Sequence, residues 1–310
     1  MKYRRLGSTE LKVSVVGVGT WQFGGAWGKD FTQDEVDLIL DKAHDLGINL
    51  LDTAECYGHH LSESFIGNYV SRRKSRNDWV IATKFGHNHA DRNNPSKNYW
   101  SAEEVLKQLD DSLLSLKTDY IDLYQFHSGT DEDFDNDALW TALDKQVQAG
   151  KVRNLGISIS RNDNIYQTDK ATQVNAKALQ VVYNRLDQAP EQEVFPSCER
   201  QDLGVLARVP LASGFLSGKY EPGTVFPSND VRSNRDQEQS QARLRAVEEI
   251  RANEVPQGVD MAEWALAWCL KHSAVTCVIP GCKSPEQVES NARAASFDWV
   301  NDSHPQAWKG

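Results

Sequence analysis

Four residue types capable of proton chemistry stand at or just beyond the ends of apolar runs. The run 48–51 leads into Asp52, and Tyr57 follows five residues later, just before Gly58. The run 80–83 leads into Lys84, and the run 121–126 into His127. Together, a carboxylate, a phenol, an ammonium and an imidazole make a working acid. An unperturbed phenol, with a pKa of about 10, is a poor proton donor at neutral pH. A nearby ammonium favours the phenolate and lowers that value. Lys84 is expected to do this, held by Asp52, while His127 hydrogen-bonds a substrate oxygen beside the phenol. Such a site protonates an oxygen as negative charge grows on it, which carbonyl reduction requires once a hydride donor is present. Taken singly, each residue has a plainer reading: a turn or cap for Asp52, solvation for Lys84, packing for Tyr57, a strand end for His127.

The four meet only if the strands carrying them are neighbours whose ends share one side. The rest of the chain predicts that arrangement. Residues 1–13 read as a short hairpin. Strands are expected at 13–18, 48–51, 79–83, 120–126, 152–157, 179–182, 204–207 and 275–279, mostly separated by helices. Thr32 with Glu35, and Ser101 with Glu104, have the spacing of capping boxes. Val36, Ile39, Leu40 and Ala43 then form one apolar helical face, and Val105, Leu109, Leu113 and Leu116 another. Ser284-Pro285-Glu286-Gln287 opens the last helix with an N-cap, a first-turn proline and a glutamine back-cap. Residues 212–237, rich in Gly, Pro, Ser and Asn, read as a long loop, followed by helices near 238–252 and 260–271. Eight such units predict an α/β fold: a (β/α)8 TIM barrel over residues 1–310, with an N-terminal β-hairpin and a long loop plus extra helix between strands seven and eight. The alternative, a doubly wound open sheet, would show GxGxxG after its first strand; here Gly17-Val18-Gly19 is followed by Thr20, Trp21 and Gln22. The barrel puts Asp52, Tyr57, Lys84 and His127 on one rim, where barrels build their active sites.

A net charge of −10 over 310 residues argues against a general nucleic-acid surface. No apolar run approaches the ~20 residues of a membrane span, and the first residues lack a signal-peptide core. Five scattered cysteines without a CxxC pair point to reduced thiols in a cytoplasm. The expected partner is a small-molecule carbonyl substrate, with no nucleic acid and no membrane, and the chain is expected to be a monomer or weak homo-oligomer.

Along nearly its whole length the chain resembles the aldo-keto reductases. Asp52-Thr53-Ala54-Glu55-Cys56-Tyr57-Gly58, with Ser62-Glu63 after it, is similar to the family's Asp-Thr-Ala…Tyr-Gly signature. Lys84 and His127 match its remaining catalytic positions. Gly156-Ile157-Ser158 resembles the nicotinamide-site segment, Gln180 the glutamine that contacts the carboxamide, and the stretch from Ile279-Pro280-Gly281 to Asn291 the C-terminal cofactor motif. The pattern is most similar to bacterial reductases near the potassium-channel β-subunit branch. The resemblance implies NADPH (NADP+) as cofactor and Asp52, Tyr57, Lys84 and His127 as catalytic residues. It implies cofactor contacts from Gly19, Thr20, Trp21, Asp52, Ser158, Gln180, Arg208, Pro210 and Leu211. Further contacts are implied from Gly214, Lys219, Gly281, Lys283, Gln287 and Asn291. Lys283 and the helix start at Ser284 would supply the local anion site that selects NADPH. Two positions depart from the pattern. Ile159 stands where the family usually has Asn, and Arg208 where an aromatic often stacks on the nicotinamide.

Trp21, Phe23 and Trp27 follow the first barrel strand, and Phe85 follows Lys84. Trp21, Trp27, Tyr57, Phe85 and His127 are expected to line the carbonyl pocket. His87-Asn88-His89 reads as solvated loop, with no metal expected; a metal hydrolase using that pair is a rival reading. Cys56 and Cys282 read as buried small residues, although Cys56 beside Tyr57 is a place where oxidation would be felt. The other rival is a cofactor-binding sensor or auxiliary subunit with slow turnover, as some barrels of this family are.

Overall fold

Most helices among the described residues begin at a side-chain cap. A computed structural model describes residues 1–87, 99–227 and 230–309. In chain order the strands are β1 (Tyr3–Arg5), β2 (Lys12–Ser14), β3 (Val18–Gly19), β4 (Leu50–Asp52), β5 (Val80–Phe85), β6 (Leu123–His127), β7 (Leu155–Ser158), β8 (Ala176–Val182), β9 (Gly204–Arg208) and β10 (Val275–Val278). The helices are α1 (Gln33–Asp45), α2 (Leu61–Arg73), α3 (Ala102–Leu116), α4 (Asp131–Phe134), α5 (Asp137–Gln148), α6 (Ile165–Asp169), α7 (Val194–Arg200), α8 (Gln237–Asn253), α9 (Met261–Lys271) and α10 (Pro285–Arg293). Thr32 and Ser101 each accept from the backbone N–H three residues on, and Glu35 and Glu104 reach back, so α1 and α3 carry complete capping boxes. At α10 the back-cap differs: Gln287 Oε1 accepts from Lys283 N at 2.8 Å, one residue earlier than the expected cap.

Strands β3 to β10 form one parallel sheet in sequential order. Parallel bridges Val16–Val278 and Gly19–Gly281 join its two edges, so the sheet closes on itself. The apolar faces of α1 and α3 pack against its outside within one continuous core. Register sets the site. Gly19 lies opposite Asp52, while His127, Ser158 and Gln180 sit side by side on β6, β7 and β8.

The expected first strand is split. Lys12–Ser14 pairs with Tyr3–Arg5 in the hairpin, and only Val18–Gly19 joins the barrel. The chain turns between them, where Ser14 Oγ donates to Val16 O at 2.7 Å. The hairpin plugs the floor: Leu6 and Val13 pack with Leu50, Leu123 and Leu206 inside the barrel. The long loop after β9 holds short helical turns at Ala212–Ser217 and Val231–Asn234 before the extra helix α8. Among the described residues no helix is long and apolar enough to cross a membrane.

Candidate active site

Lys84 is wholly buried, and its ammonium uses all three protons. Nζ donates to Asp52 Oδ2 at 2.8 Å, to Thr53 O at 2.7 Å and to Tyr57 OH at 3.2 Å. Asp52 Oδ1 accepts from Gln180 Nε2 at 2.7 Å and from Gln125 Nε2 at 3.4 Å. A chain of hydroxyls pins the same strand ends: Thr53 Oγ1 donates to Ser62 Oγ at 3.0 Å, Ser62 Oγ to Thr20 Oγ1 at 2.8 Å, and Thr20 Oγ1 to Asp52 O at 2.9 Å. The turn after β3 presses onto Tyr57 because two glycines let the backbones touch. A Cβ at Gly24 would lie 2.6 Å from the Tyr57 carbonyl carbon, and one at Gly58, where φ is +68°, 2.8 Å from Gly24 Cα. That contact stacks Trp21 on Tyr57, with ring centres 6.0 Å apart, and sets Trp27 edge-on to Trp21 at 5.0 Å. His127 faces Tyr57 edge-on at 6.3 Å, and the His87 ring lies 4.5 Å from that of His127.

Burial pushes the Tyr57 phenol up to about 12; Lys84 pulls it down and Asp52 pushes it up again. This corrects the sequence expectation of a lowered phenol. The ammonium does lower it, but against a larger cost of burying a phenolate. Burial also opposes the Lys84 ammonium, yet Asp52 and Tyr57 outweigh it and its pKa is raised. At neutral pH the site therefore holds a charged lysine against a protonated phenol. Behind them, burial and then Glu63 hold the Glu55 carboxyl well above the ordinary range, and burial and then Glu55 push up the Cys56 thiol.

These groups open on a cleft of about 670 Å³. One end is walled by Trp21, Trp27, Cys56, Tyr57, His87 and His127, the middle by Gly19, Thr20, Asp52, Gln180, Arg208 and Pro210. Lys219, Arg232, Lys283, Gln287, Asn291 and Arg293 line the other end, along α10 and the loops beside it. Lys283 Nζ donates to Trp27 O at 2.6 Å. Burial lowers its pKa against the pull of Asp230, and Arg232, Lys29 and Lys219 lower it further. That end is a cation cluster.

Comparison with known proteins agrees with this geometry. The Aldo/keto reductase family profile matches residues 15–308. The chain belongs to the aldo/keto reductase family. It is 34% identical over 303 residues to the Bacillus subtilis uncharacterized oxidoreductase YqkF, covering 96% of this chain and 92% of that one. It is 30% identical over 319 residues to the NADH-specific methylglyoxal reductase of Escherichia coli, covering 96% and 94%. Among solved structures, the holo form of aldo-keto reductase AKR11C1 from Bacillus halodurans superposes with a TM-score of 0.80 at 31% identity, covering 99% of this chain and 94% of that one.

Most residues implied by the family pattern do reach the cleft of this aldo/keto reductase, Leu211, Gly214 and Gly281 included. Ser158 does not: it is buried behind Gln180, donating to its Oε1 at 3.5 Å. Phe85 is a correction. Side chains alternate along a strand, so Lys84 pointing inward sends Phe85 outward, against Tyr124 at 4.7 Å and into the helix-side core. Ile159 also packs in that core, and it is its backbone O that faces the site, accepting from an Arg208 guanidinium nitrogen at 3.1 Å. His87 is not solvated loop but half-buried on the cleft wall, its N–H donating to Glu55 Oε1 at 3.1 Å. His89 lies outside the described residues.

Sequence reasoning missed Gln22, Arg232 and Arg293. Arg293 was within reach, since it shares α10 with Gln287 and Asn291. Arg232 had no local signal: it is held by Asp230 and stacks its guanidinium 4.1 Å from the Phe226 ring centre. The donor set fits a nicotinamide dinucleotide, the cofactor type this family uses. Gln22 Oε1, Trp27 Nε1 and Arg208 Nε are buried on the cleft walls without a protein partner, so a ligand that both donates and accepts would satisfy them. Gly19 lets the end of β3 close against the segment after β10, as its Cβ would lie 2.7 Å from Ile279 O.

Proposed function

We propose that the protein reduces aldehydes or ketones to alcohols, with NADPH as the preferred cofactor and Tyr57 as general acid. One observation carries this reading: the Tyr57 hydroxyl accepts from a buried, Asp52-anchored Lys84 at 3.2 Å and opens on the cleft beside His127. When bound, NADPH supplies the hydride. Tyr57 donates its proton to the carbonyl oxygen as charge develops there, and Lys84 stabilises the phenolate left behind. His127 hydrogen-bonds the same oxygen and fixes its direction. Trp21 and Trp27 form an aromatic wall that excludes water from the reacting carbon. Gln180, held by Asp52, and Arg208 would hold the nicotinamide end of the cofactor.

Support for NADPH over NADH comes from the far end of the cleft, where Arg232 is paired with Asp230 and Arg293 with Glu263, while Lys219 and Lys283 have no carboxylate at ion-pair distance among the described residues. The Escherichia coli relative is named for NADH, so cofactor choice varies on this fold and must be measured here. The reading includes a cytoplasmic location, in keeping with five unpaired cysteines, and a monomer or weak homo-oligomer. The test is turnover of a carbonyl panel with NADPH and with NADH, including aromatic aldehydes, sugars and methylglyoxal. NADPH-dependent loss of aldehyde that Tyr57→Phe abolishes is the expected result. Tight cofactor binding without turnover of any carbonyl would favour a sensor.

A further inference from the structure

Beside the phenol, three groups that ligate soft metals converge. A Glu55 carboxyl oxygen, Cys56 Sγ and a His127 ring nitrogen all lie within 4.8 Å of one another. Cys56 Sγ is 3.8 Å from His127 Nδ1. Glu55 is 4% exposed; its Oε1 accepts from His87 N, while Oε2 is buried without a protein partner. Cys56 and His127 both line the cleft, which gives an ion a path from solvent. Neither Glu55 nor Cys56 has a part in the proton transfer described above. A buried carboxyl with an unmet oxygen is costly, and a cation bound by that carboxyl would offset the cost.

We propose that Glu55, Cys56 and His127 form a binding site for a thiophilic divalent cation of the Zn²⁺ class, and that its occupancy arrests carbonyl reduction. The ligand types select the metal. Thiolate, imidazole and carboxylate suit Zn²⁺, whereas Mg²⁺ and Ca²⁺ take all-oxygen sets. Bonds of about 2.0–2.3 Å place tetrahedral ligands about 3.5 Å apart, so side-chain adjustments of an ångström or so complete the site. On binding, the thiol and the carboxylic acid each release a proton to water, and their two negative charges balance the ion. Nothing is oxidised or reduced, and the fourth position holds water. The occupied site removes His127 from the carbonyl and puts the ion beside Tyr57, where the substrate oxygen would sit. Binding stands apart from the reductase reading; only the inhibitory consequence rests on it.

The experiment is a Co²⁺ titration of the full-length, cofactor-free protein, followed in the near ultraviolet and visible. One equivalent should give a thiolate-to-cobalt charge-transfer band and the intense visible bands of a tetrahedral site, both displaced by Zn²⁺. Cys56→Ser should abolish the charge-transfer band, and Glu55→Gln should weaken binding tenfold or more. Cys56→Ala serves if the serine variant misfolds, with near-ultraviolet circular dichroism as the check. No charge-transfer band, or a band that survives in both Cys56 and Glu55 variants, overturns the site. In parallel, Zn²⁺ should raise the KM for the carbonyl without changing that for NADPH, EDTA should reverse this, and the KM of Cys56→Ser, whatever its own basal rate, should not respond to Zn²⁺. Equal Zn²⁺ inhibition of native and Cys56→Ser proteins overturns the inhibitory role. A native protein that reduces no carbonyl defeats the reductase reading, while the cobalt spectrum still decides the metal site.

Discussion

The two ends of the cleft are held together differently. At the catalytic end charges are paired inside the protein: Lys84 is saturated by Asp52, Thr53 and Tyr57, and Asp52 by Lys84, Gln180 and Gln125. At the far end cations crowd each other. Lys283 has a backbone carbonyl for its direct partner, with Asp230 as its nearest opposing charge and Arg232, Lys29 and Lys219 as like-charged neighbours. A self-satisfied network is positioned before any ligand arrives and is expensive to break. At the far end Arg232 is paired with Asp230 and Arg293 with Glu263, whereas Lys283 and Lys219 have no carboxylate partner among the described residues, so their charge is available to an anion. Changes at the catalytic end should therefore cost turnover and stability, and changes at the far end should cost affinity for one cofactor.

The largest effect tests the catalytic end alone. Tyr57→Phe removes the proton donor while keeping the ring on Trp21, so turnover should fall roughly 10²–10⁴-fold, with NADPH affinity measured by fluorescence almost unchanged. Turnover within tenfold of native would remove Tyr57 from the acid's role.

Lys84→Met comes next and should break both properties of that end. Stranding Asp52 without its ion-pair partner should cost about 3–5 kcal/mol in urea unfolding. The phenol should respond as well. Lys84 is one of the groups that lower the Tyr57 pKa, so its loss moves that pKa above the native value of about 12. Reduction needs the protonated phenol and falls as pH rises through the pKa; alcohol oxidation needs the phenolate and climbs toward it. In a folded Lys84→Met protein the alkaline rise of alcohol oxidation should shift to higher pH, and an unshifted profile would show that the ammonium does not tune the phenol.

At the far end, Lys283→Ala should weaken NADPH about ten- to a hundredfold, the worth of one charged hydrogen bond. NADH affinity and the unfolding midpoint should hardly move, and added salt should shrink the NADPH preference. Equal loss for both cofactors would place Lys283 on their shared part.

The smallest effect lies behind the catalytic network. The Glu55 carboxyl has a raised folded pKa through burial and Glu63, with Lys84 a weaker opposing influence. Its stabilising contribution is complete below the unfolded value of about 4.3 and is lost as pH climbs toward the folded pKa. Glu55→Gln carries no such loss, so its melting temperature relative to native should improve as pH rises above the unfolded value. A difference that stays flat with pH would mean that the carboxyl is not buried and neutral.

Much of the fold was legible because its signals are local. Thr32 with Glu35 and Ser101 with Glu104 cap their helices through contacts three residues apart, and such contacts survive translation into a linear pattern. The four-residue helix α4 escaped because it is too short to show a period, although Thr130 and Asp133 cap it in the same way. The split of the first strand escaped because Val13 and Val18 are equally apolar. What divides them is Ser14 bonding to Val16 and Asn49, the latter on a distant segment. Phe85 was misplaced because a strand buried on both faces reads as a continuous apolar run that hides which side chains point inward.

By itself, the sequence determined that Asp52, Lys84 and His127 stand at strand ends, with Tyr57 a turn beyond, since residue type and apolar run length are properties of adjacent residues. Tertiary structure alone decided what those groups do to one another. Barrel closure encloses the phenol enough to raise its pKa in spite of the lysine at 3.2 Å. It brings Arg232 from a polar loop to the cleft, and it sets Glu55, Cys56 and His127 within one ion's reach. Burial and through-space charge depend on groups far apart in the chain, and no spacing along the chain encodes them.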